Sequence, residues 1–211
     1  KVSSARGEWA LRDAKLAETE RLMRYVENVD YDQSLLLWHI ATELCFQEEE
    51  EEEEEILKKQ SGESCDDREF SKIVSDYMMY LLIMQPKLMS EVAGIGTIRF
   101  RDTLAEAERF FKGRHVKNLR DMKRASKTVL SVSNDIEPMN VKGDRSKSVL
   151  FDASMLAKEL QRLDDNGGDG KWRVLSKVWV ELLSYAASHC KATEHVAQLS
   201  RGGELLNFVW L

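Results

Sequence analysis

Lys142, Arg145 and Lys147 crowd into the stretch NVKGDRSKSVLFDA, residues 140–153, beside Gly143, Ser146 and Ser148. Cations, hydroxyls and a glycine ahead of an apolar run are the ingredients of a phosphate cradle. A P-loop needs G-x-x-x-x-G-K-[ST] between a strand and a helix, so that backbone N–H groups wrap the phosphates. Here Lys147–Ser148 is present, but Ser146 stands where the second glycine belongs. The segment NDIEPMN precedes, not a Val/Ile-rich strand. The stretch fails as a nucleotide loop and reads first as a helix start, with Asp144 or Ser146 as N-cap. A helix N-terminus flanked by three cations can still hold a phosphate or an acidic side chain without catalysis. Arg99 and Arg101, on either side of Phe100 and just after Gly94 and Gly96, supply further positive charge. The candidate anion-binding set is therefore Lys142, Arg145, Ser146, Lys147, Arg99 and Arg101.

Other chemistry is thinner. Between Ile98 and Lys127 ten lysines and arginines face four acids. The chain nevertheless carries a net charge of −6 and no recognition module, so a solvated helix face is expected there and nucleic acid is not expected as a partner. Contact of this basic stretch with anionic lipid headgroups is a further expectation if the chain lies beside a membrane. His189 and Cys190 are adjacent and His195 follows. Adjacent helical residues diverge by about 100°, so an imidazole-activated thiol is a poor fit. His39, beside Trp38 in an apolar run, reads as a hydrogen-bonded core histidine. Neither the four histidines nor Cys45, Cys65 and Cys190 show metal-ligand spacing. No catalytic constellation, metal or cofactor is expected. Three irregularly spaced cysteines make a poor disulfide framework and suggest a reducing compartment.

The elements that must position these residues are helical. Only two prolines and eleven glycines punctuate 211 residues. Helical periodicity predicts an N-terminal helix within residues 1–31, a helix over DYDQSLLLWHIATELCFQ capped by Asp32, and a largely buried one over DDREFSKIVSDYMMYLLIMQP ended or kinked by Pro86. A glycine-bearing loop, SEVAGIGTIRFRDT, then leads to a helix capped by Asp102 or Thr103 with Leu104, Ala107, Phe110 and Phe111 inward. Further helices follow over NLRDMKRASKTVLSVSND, over the stripe Val149–Ala153–Leu156–Leu160–Leu163, over KWRVLSKVWVELLSYAASHCK, and over a last segment broken or kinked at Gly202–Gly203. Glu48–Glu55 are eight consecutive glutamates, and setting them aside lowers the acids from 37 to 29 against 31 cations. Such a charge block predicts an acidic mobile loop, residues 47–66. The expected fold is all-α: one irregular bundle of about seven or eight helices spanning 1–211, with no significant sheet. No signal peptide is visible. The longest apolar run, Tyr77 to Met84, is too short to span a bilayer, so the chain is expected to be soluble. The non-methionine start and the apolar ELLNFVWL end suggest a fragment of a longer chain.

Several blocks in order, LLLWHIATELCF, SDYMMYLLIMQPKLM, GIGTIRFRDTLAEAERFF, VKGDRSKSVLFDA, WRVLSKVWVELLSYAASHC and LSRGGELLNFVWL, resemble the plant domain of unknown function 594. The resemblance runs from about Asp32 to Leu211. It implies the C-terminal, cytosol-facing part of a plant membrane protein, with residues 1–31 leading in from a membrane region and lipid contact made through that region. It implies no reaction. The leading expectation is a non-enzymatic helical domain that binds another protein, in signalling or defence, its segregated charge suiting electrostatic partner choice. The alternative is a phosphate-containing ligand or phosphoinositide at the basic helix start.

Overall fold

The structure is a computed structural model and describes residues 4–14, 19–56, 65–114, 122–132, 148–165 and 170–210. Among these it contains ten helices and no strand: α1 Glu8–Asp13, α2 Thr19–Glu27, α3 Tyr31–Ile56, α4 Cys65–Met84, α5 Gly96–Gly113, α6 Met122–Leu130, α7 Val149–Asp165, α8 Lys171–His189, α9 Ala192–Leu199 and α10 Leu205–Trp210. The all-α bundle expected from periodicity is what forms.

Helix α3 is the spine. Leu35, Leu36, Leu37 and Trp38 are consecutive and all buried, which requires packing on every side of the helix. It lies mainly against α7 and α4, and α8 packs against α4. The α7 stripe Val149, Ala153, Leu156, Leu160 and Leu163 is buried throughout, as its spacing predicted. Helix α8 buries Leu175, Val178, Trp179, Leu182 and Ala186. Its Trp179 indole N–H donates to Thr42 Oγ1 at 3.1 Å, and that hydroxyl donates on to the Trp38 carbonyl at 2.7 Å. These buried polar atoms of the core are thus paired with one another, as burial demands.

The glutamate run departs from expectation. Residues 47–56 are not a loop but the last turns of α3, and Cys65 and Asp66 already open α4. Residues 57–64 lie outside the described residues. Glutamate is a good helix former, and the first two glutamates have partners that offset like-charge repulsion. Glu48 accepts a hydrogen bond from Gln161. Glu49 pairs with Arg68 at 3.2 Å and Lys171 at 2.5 Å.

The N-terminal part differs too. In place of one lead-in helix over 1–31 there are two short ones, α1 and α2, whose Leu11, Leu22 and Val26 are fully buried in the common core. The α2 end is tied down because the Tyr25 carbonyl accepts from Ser34 Oγ and Trp38 Nε1. That satisfies a carbonyl left without a partner inside its own helix.

Helix α5 begins at Gly96, well before the Asp102 or Thr103 caps expected for it. Gly96 does not make a loop. It lets α5 approach α4, since a Cβ there would stand 2.3 Å from Leu82 Cδ1. The inward face accordingly rotates to Gly96, Thr103, Glu106 and Phe111, leaving Leu104 exposed. Asp32 is not an N-cap either, because α3 starts one residue earlier, at Tyr31. Pro86 acts as expected: α4 stops at Met84. Gly202 and Gly203, at φ 113° and 78°, make the turn between α9 and α10 that other residues would resist.

Candidate functional site

Of the candidate anion-binding set, Lys142, Arg145, Ser146 and Lys147 lie outside the described residues. Arg99 and Arg101 sit in the first turns of α5, not on a glycine loop, and the structure does not bring them together. Two residues along a helix turn about 200°, so the two guanidiniums leave opposite sides. Arg99 points inward, with Nε donating to Asp32 at 2.8 Å, Nη2 to Asp30 at 2.9 Å and Nη1 to Gln33 Oε1 at 3.3 Å. Two carboxylates already satisfy its charge, and Asp32 is buried. Its role here is to lock α5 onto the start of α3. Arg101 is exposed.

The helix start that opened the sequence analysis is capped by Ser148, not by Asp144 or Ser146. Its buried Oγ accepts the Phe151 N–H at 3.1 Å and donates to Glu106 on α5. Helix α7 begins at the next residue, so this hydroxyl occupies the N-cap position and bonds the N3 amide.

The thiol–imidazole readings resolve into structure. Burial pushes the Cys190 thiol up to about 11, with Glu194 adding to the effect. That is the reverse of activation, which lowers a thiol. His189 Nδ1 is 2.8 Å from the Tyr185 carbonyl, and its ring stacks on Tyr185. His195 is fully buried. Its Nε2–H donates to the Ala187 carbonyl at 3.1 Å, and Nδ1 accepts from Asn207 Nδ2 at 2.8 Å. A carbonyl can only accept and an amide NH₂ only donate, so this network specifies the neutral Nε2–H tautomer. Asn207 Oδ1 in turn accepts the Glu204 N–H at 2.7 Å, half of a capping box at the start of α10. His195, Asn207 and Trp210, stacked on the His195 ring, are what hold the C-terminal helices together. His39 is hydrogen-bonded as expected, 2.8 Å from Ser75 Oγ, but is half-buried at the edge of the core, and the burial of its ring lowers its basicity.

The feature that residue-type reasoning missed is an open cleft of about 690 Å³ where α1 and α4 both lean on α8. Trp9, Ala10 and Asp13 come from α1, Asp67 and Phe70 from α4, and Ser176, Lys177, Val180 and Glu181 from α8. Three large apolar side chains stand open around it: Trp9 is 60% exposed, Val180 46% and Phe70 43%. Its polar groups divide by occupation. Lys177 Nζ is held by Asp13 at 2.8 Å. The Glu181 carboxylate receives the Gly7 N–H at 2.9 Å and the Trp9 N–H at 3.3 Å, anchoring the start of α1. Burial raises the Glu181 carboxyl above its ordinary value, while the amides of Gly7, Ala10 and Trp9 draw it back. Asp67 is exposed, and its carboxylate has no partner among the described residues.

The cleft continues into a stripe. Phe70, Ile73, Tyr77, Tyr80 and Met84 recur at three- and four-residue steps along α4, and all are at least partly exposed; Ile73 and Met84 reach 65%. The core face of the same helix is Val74, Met78, Leu81 and Leu82. The helix reads as largely buried in sequence because both faces are apolar, and periodicity alone does not rank two stripes on one helix. The signal available was that surplus: α4 carries more apolar faces than one core contact consumes.

Among the described residues, no group of histidines, cysteines and carboxylates could hold a metal ion. Nor is any helix long and apolar enough to cross a membrane. No curated protein and no solved structure matches the chain. The family model described as Protein of unknown function, DUF594, matches residues 164–211, a narrower span than the resemblance read from Asp32 onward. This span supplies the cleft floor on α8 and the whole His195–Asn207–Trp210 network. Over these residues the chain is similar to the DUF594 family.

Proposed function

We propose that the chain is a helical protein-interaction module whose docking face is the α4 stripe together with the cleft at its N-terminal end. The observation that supports this reading is the stripe Phe70–Ile73–Tyr77–Tyr80–Met84, a second apolar face on a helix whose first face already fills the core. Large apolar side chains aligned on a rigid helix and left in water mark a surface that a partner covers. Aromatic side chains, of which this stripe holds three, are the residue types that anchor such interfaces. The occupant is another protein, not a membrane, because acids and tyrosine hydroxyls border the stripe. Tyr80 donates to Glu204, and Asp67 and Asp76 lie exposed on the same helix. A position on the cytosolic side of a plant membrane, which the family resemblance implies, is part of this proposal.

The test compares partners captured from cell extract by the wild-type chain, by Ile73→Glu with Met84→Glu, and by Leu104→Glu on α5 as a surface control. A captured protein is then purified and its binding measured with all three. Binding lost in the α4 variant and kept in the α5 variant is expected. Equal binding by all three overturns the assignment of this face.

A further inference from the structure

We infer that the Trp9–Phe70–Val180 cleft receives an arginine side chain presented by the partner protein. This deepens the interaction reading above and rests on it. Three observations select that occupant.

The first is the charge left over. Asp13 and Lys177 neutralise each other across the cleft at 2.8 Å. Glu181 is taken up by backbone amides at the start of α1. Asp67 remains, an exposed carboxylate without a partner among the described residues. Beyond the neutralised pair and the amide-bound Glu181, the lining therefore offers one carboxylate, Asp67, and no spare cation. An anion is disfavoured here and a cation favoured.

The second is the wall chemistry. Trp9 and Phe70 bring two aromatic rings to the same cleft as Asp67. Aromatic faces attract cations, tryptophan most of all. A guanidinium is planar, stacks on aromatic rings and is less strongly hydrated than an ammonium, so arginine loses less than lysine on entering such a site. Its aliphatic stem would lie against Val180 and Ala10, as long cationic side chains cover apolar surface elsewhere.

The third is the shape. A small-molecule site encloses most of its ligand. This cleft is broad and open to solvent. It holds one side chain well and a free small cation poorly, so the rest of the partner must supply affinity along the α4 stripe.

The probes are three synthetic peptide pools, identical but for a central arginine, citrulline or glutamate. Citrulline keeps the shape of arginine without its charge. Binding is followed by NMR at the Trp9 indole N–H, assigned with Trp9→Phe, and titrated against the wild-type chain and Asp67→Asn. Both positions are exposed, and far-UV circular dichroism with thermal unfolding verifies that the variants remain folded. The expected result is a shift of the Trp9 resonance by the arginine pool, with roughly tenfold weaker binding of the citrulline pool and a similar loss in Asp67→Asn. Equal binding of the arginine and citrulline pools, or full binding to Asp67→Asn, overturns the inference. If the neutral or acidic pool moves Trp9 instead, the cleft still binds peptide, so the interaction reading survives while its arginine chemistry fails. If no pool moves Trp9, the arginine inference falls, and the α4 variants decide the broader reading independently.

Discussion

Trp172 donates its indole N–H to Glu49 Oε2 at 2.7 Å, and the same carboxylate meets Arg68 at 3.2 Å and Lys171 at 2.5 Å. One glutamate from a run of eight thus joins α3, α4 and α8. Arg68 and Lys171 are both buried, and Glu49 is a carboxylate they share. Removing one member of a buried ionic cluster typically costs about 3–5 kcal/mol. Glu49→Ala is expected to lower unfolding stability by that order, and Glu49→Gln by less, since an amide oxygen can still accept from Trp172. Urea unfolding with the slope held constant measures both. A neutral Glu49→Ala would show that the run is dispensable from its first residues onward.

Gly96 and Leu82 set the separation of α5 and α4. A methyl group at Gly96 has no room beside Leu82 Cδ1. Gly96→Ala is expected to destabilise by about 1–3 kcal/mol, the usual result of overpacking. Combined with Leu82→Ala, the two costs are expected to sum to less than their separate values, because the truncated side chain vacates the space the new methyl needs. Simple additivity in thermal or urea unfolding would place the strain elsewhere.

Cys190 tests the absence of an activated thiol. Raising its pKa from 9.0 to about 11 lowers the thiolate fraction near pH 8 about 100-fold. Alkylation of Cys190 by iodoacetamide, resolved from Cys45 and Cys65 by peptide mapping, is expected to be slower by that order in the native chain than in urea. Equal rates in both states would contradict the burial of this thiol.

His39 links stability to pH. Burial is the largest influence and lowers its pKa below 6.5, with Asp76 and Glu43 opposing and Lys72 assisting. As pH falls through about 6.5 the unfolded chain takes up a proton that the folded chain refuses. The stabilising contribution is therefore complete above that pH and declines below it, until the folded-state pKa is passed. His39→Gln retains a hydrogen-bonding group for Ser75 and is expected to flatten the stability profile between about pH 7 and pH 5. Urea midpoints at successive pH values measure the slope, and an unchanged slope would assign it to other groups.

Much of the architecture could be read in advance, and its failures share a cause. The α7 stripe was legible because one clean periodicity has one solution on a single-faced helix. Pro86 and Gly202–Gly203 were legible because their backbone limits are local. The glutamate run was misread because repulsion is a local property, whereas Arg68, Lys171 and Trp172 come from elements 19 to 123 residues away. Gly96 was misread as a loop residue for the same reason. A glycine's freedom is visible in sequence, but the neighbour that requires its missing side chain is not.

The candidate site shows the same division. The sequence by itself determined most of the helices, the break before α10, the hydrogen-bonded character of His39 and the lack of metal-ligand spacing, since periodicity and residue chemistry act over a few positions. Only the tertiary structure decided that Arg99 is spent on Asp30 and Asp32, and that Ser148 is the residue that caps α7. It also decided which of the two apolar faces of α4 meets the core, and that Trp9, Asp67, Phe70 and Val180 share one cleft. The physical reason is that a charge or an apolar surface acquires its role from what lies across the space in front of it. In this chain that space is closed by helices distant in sequence.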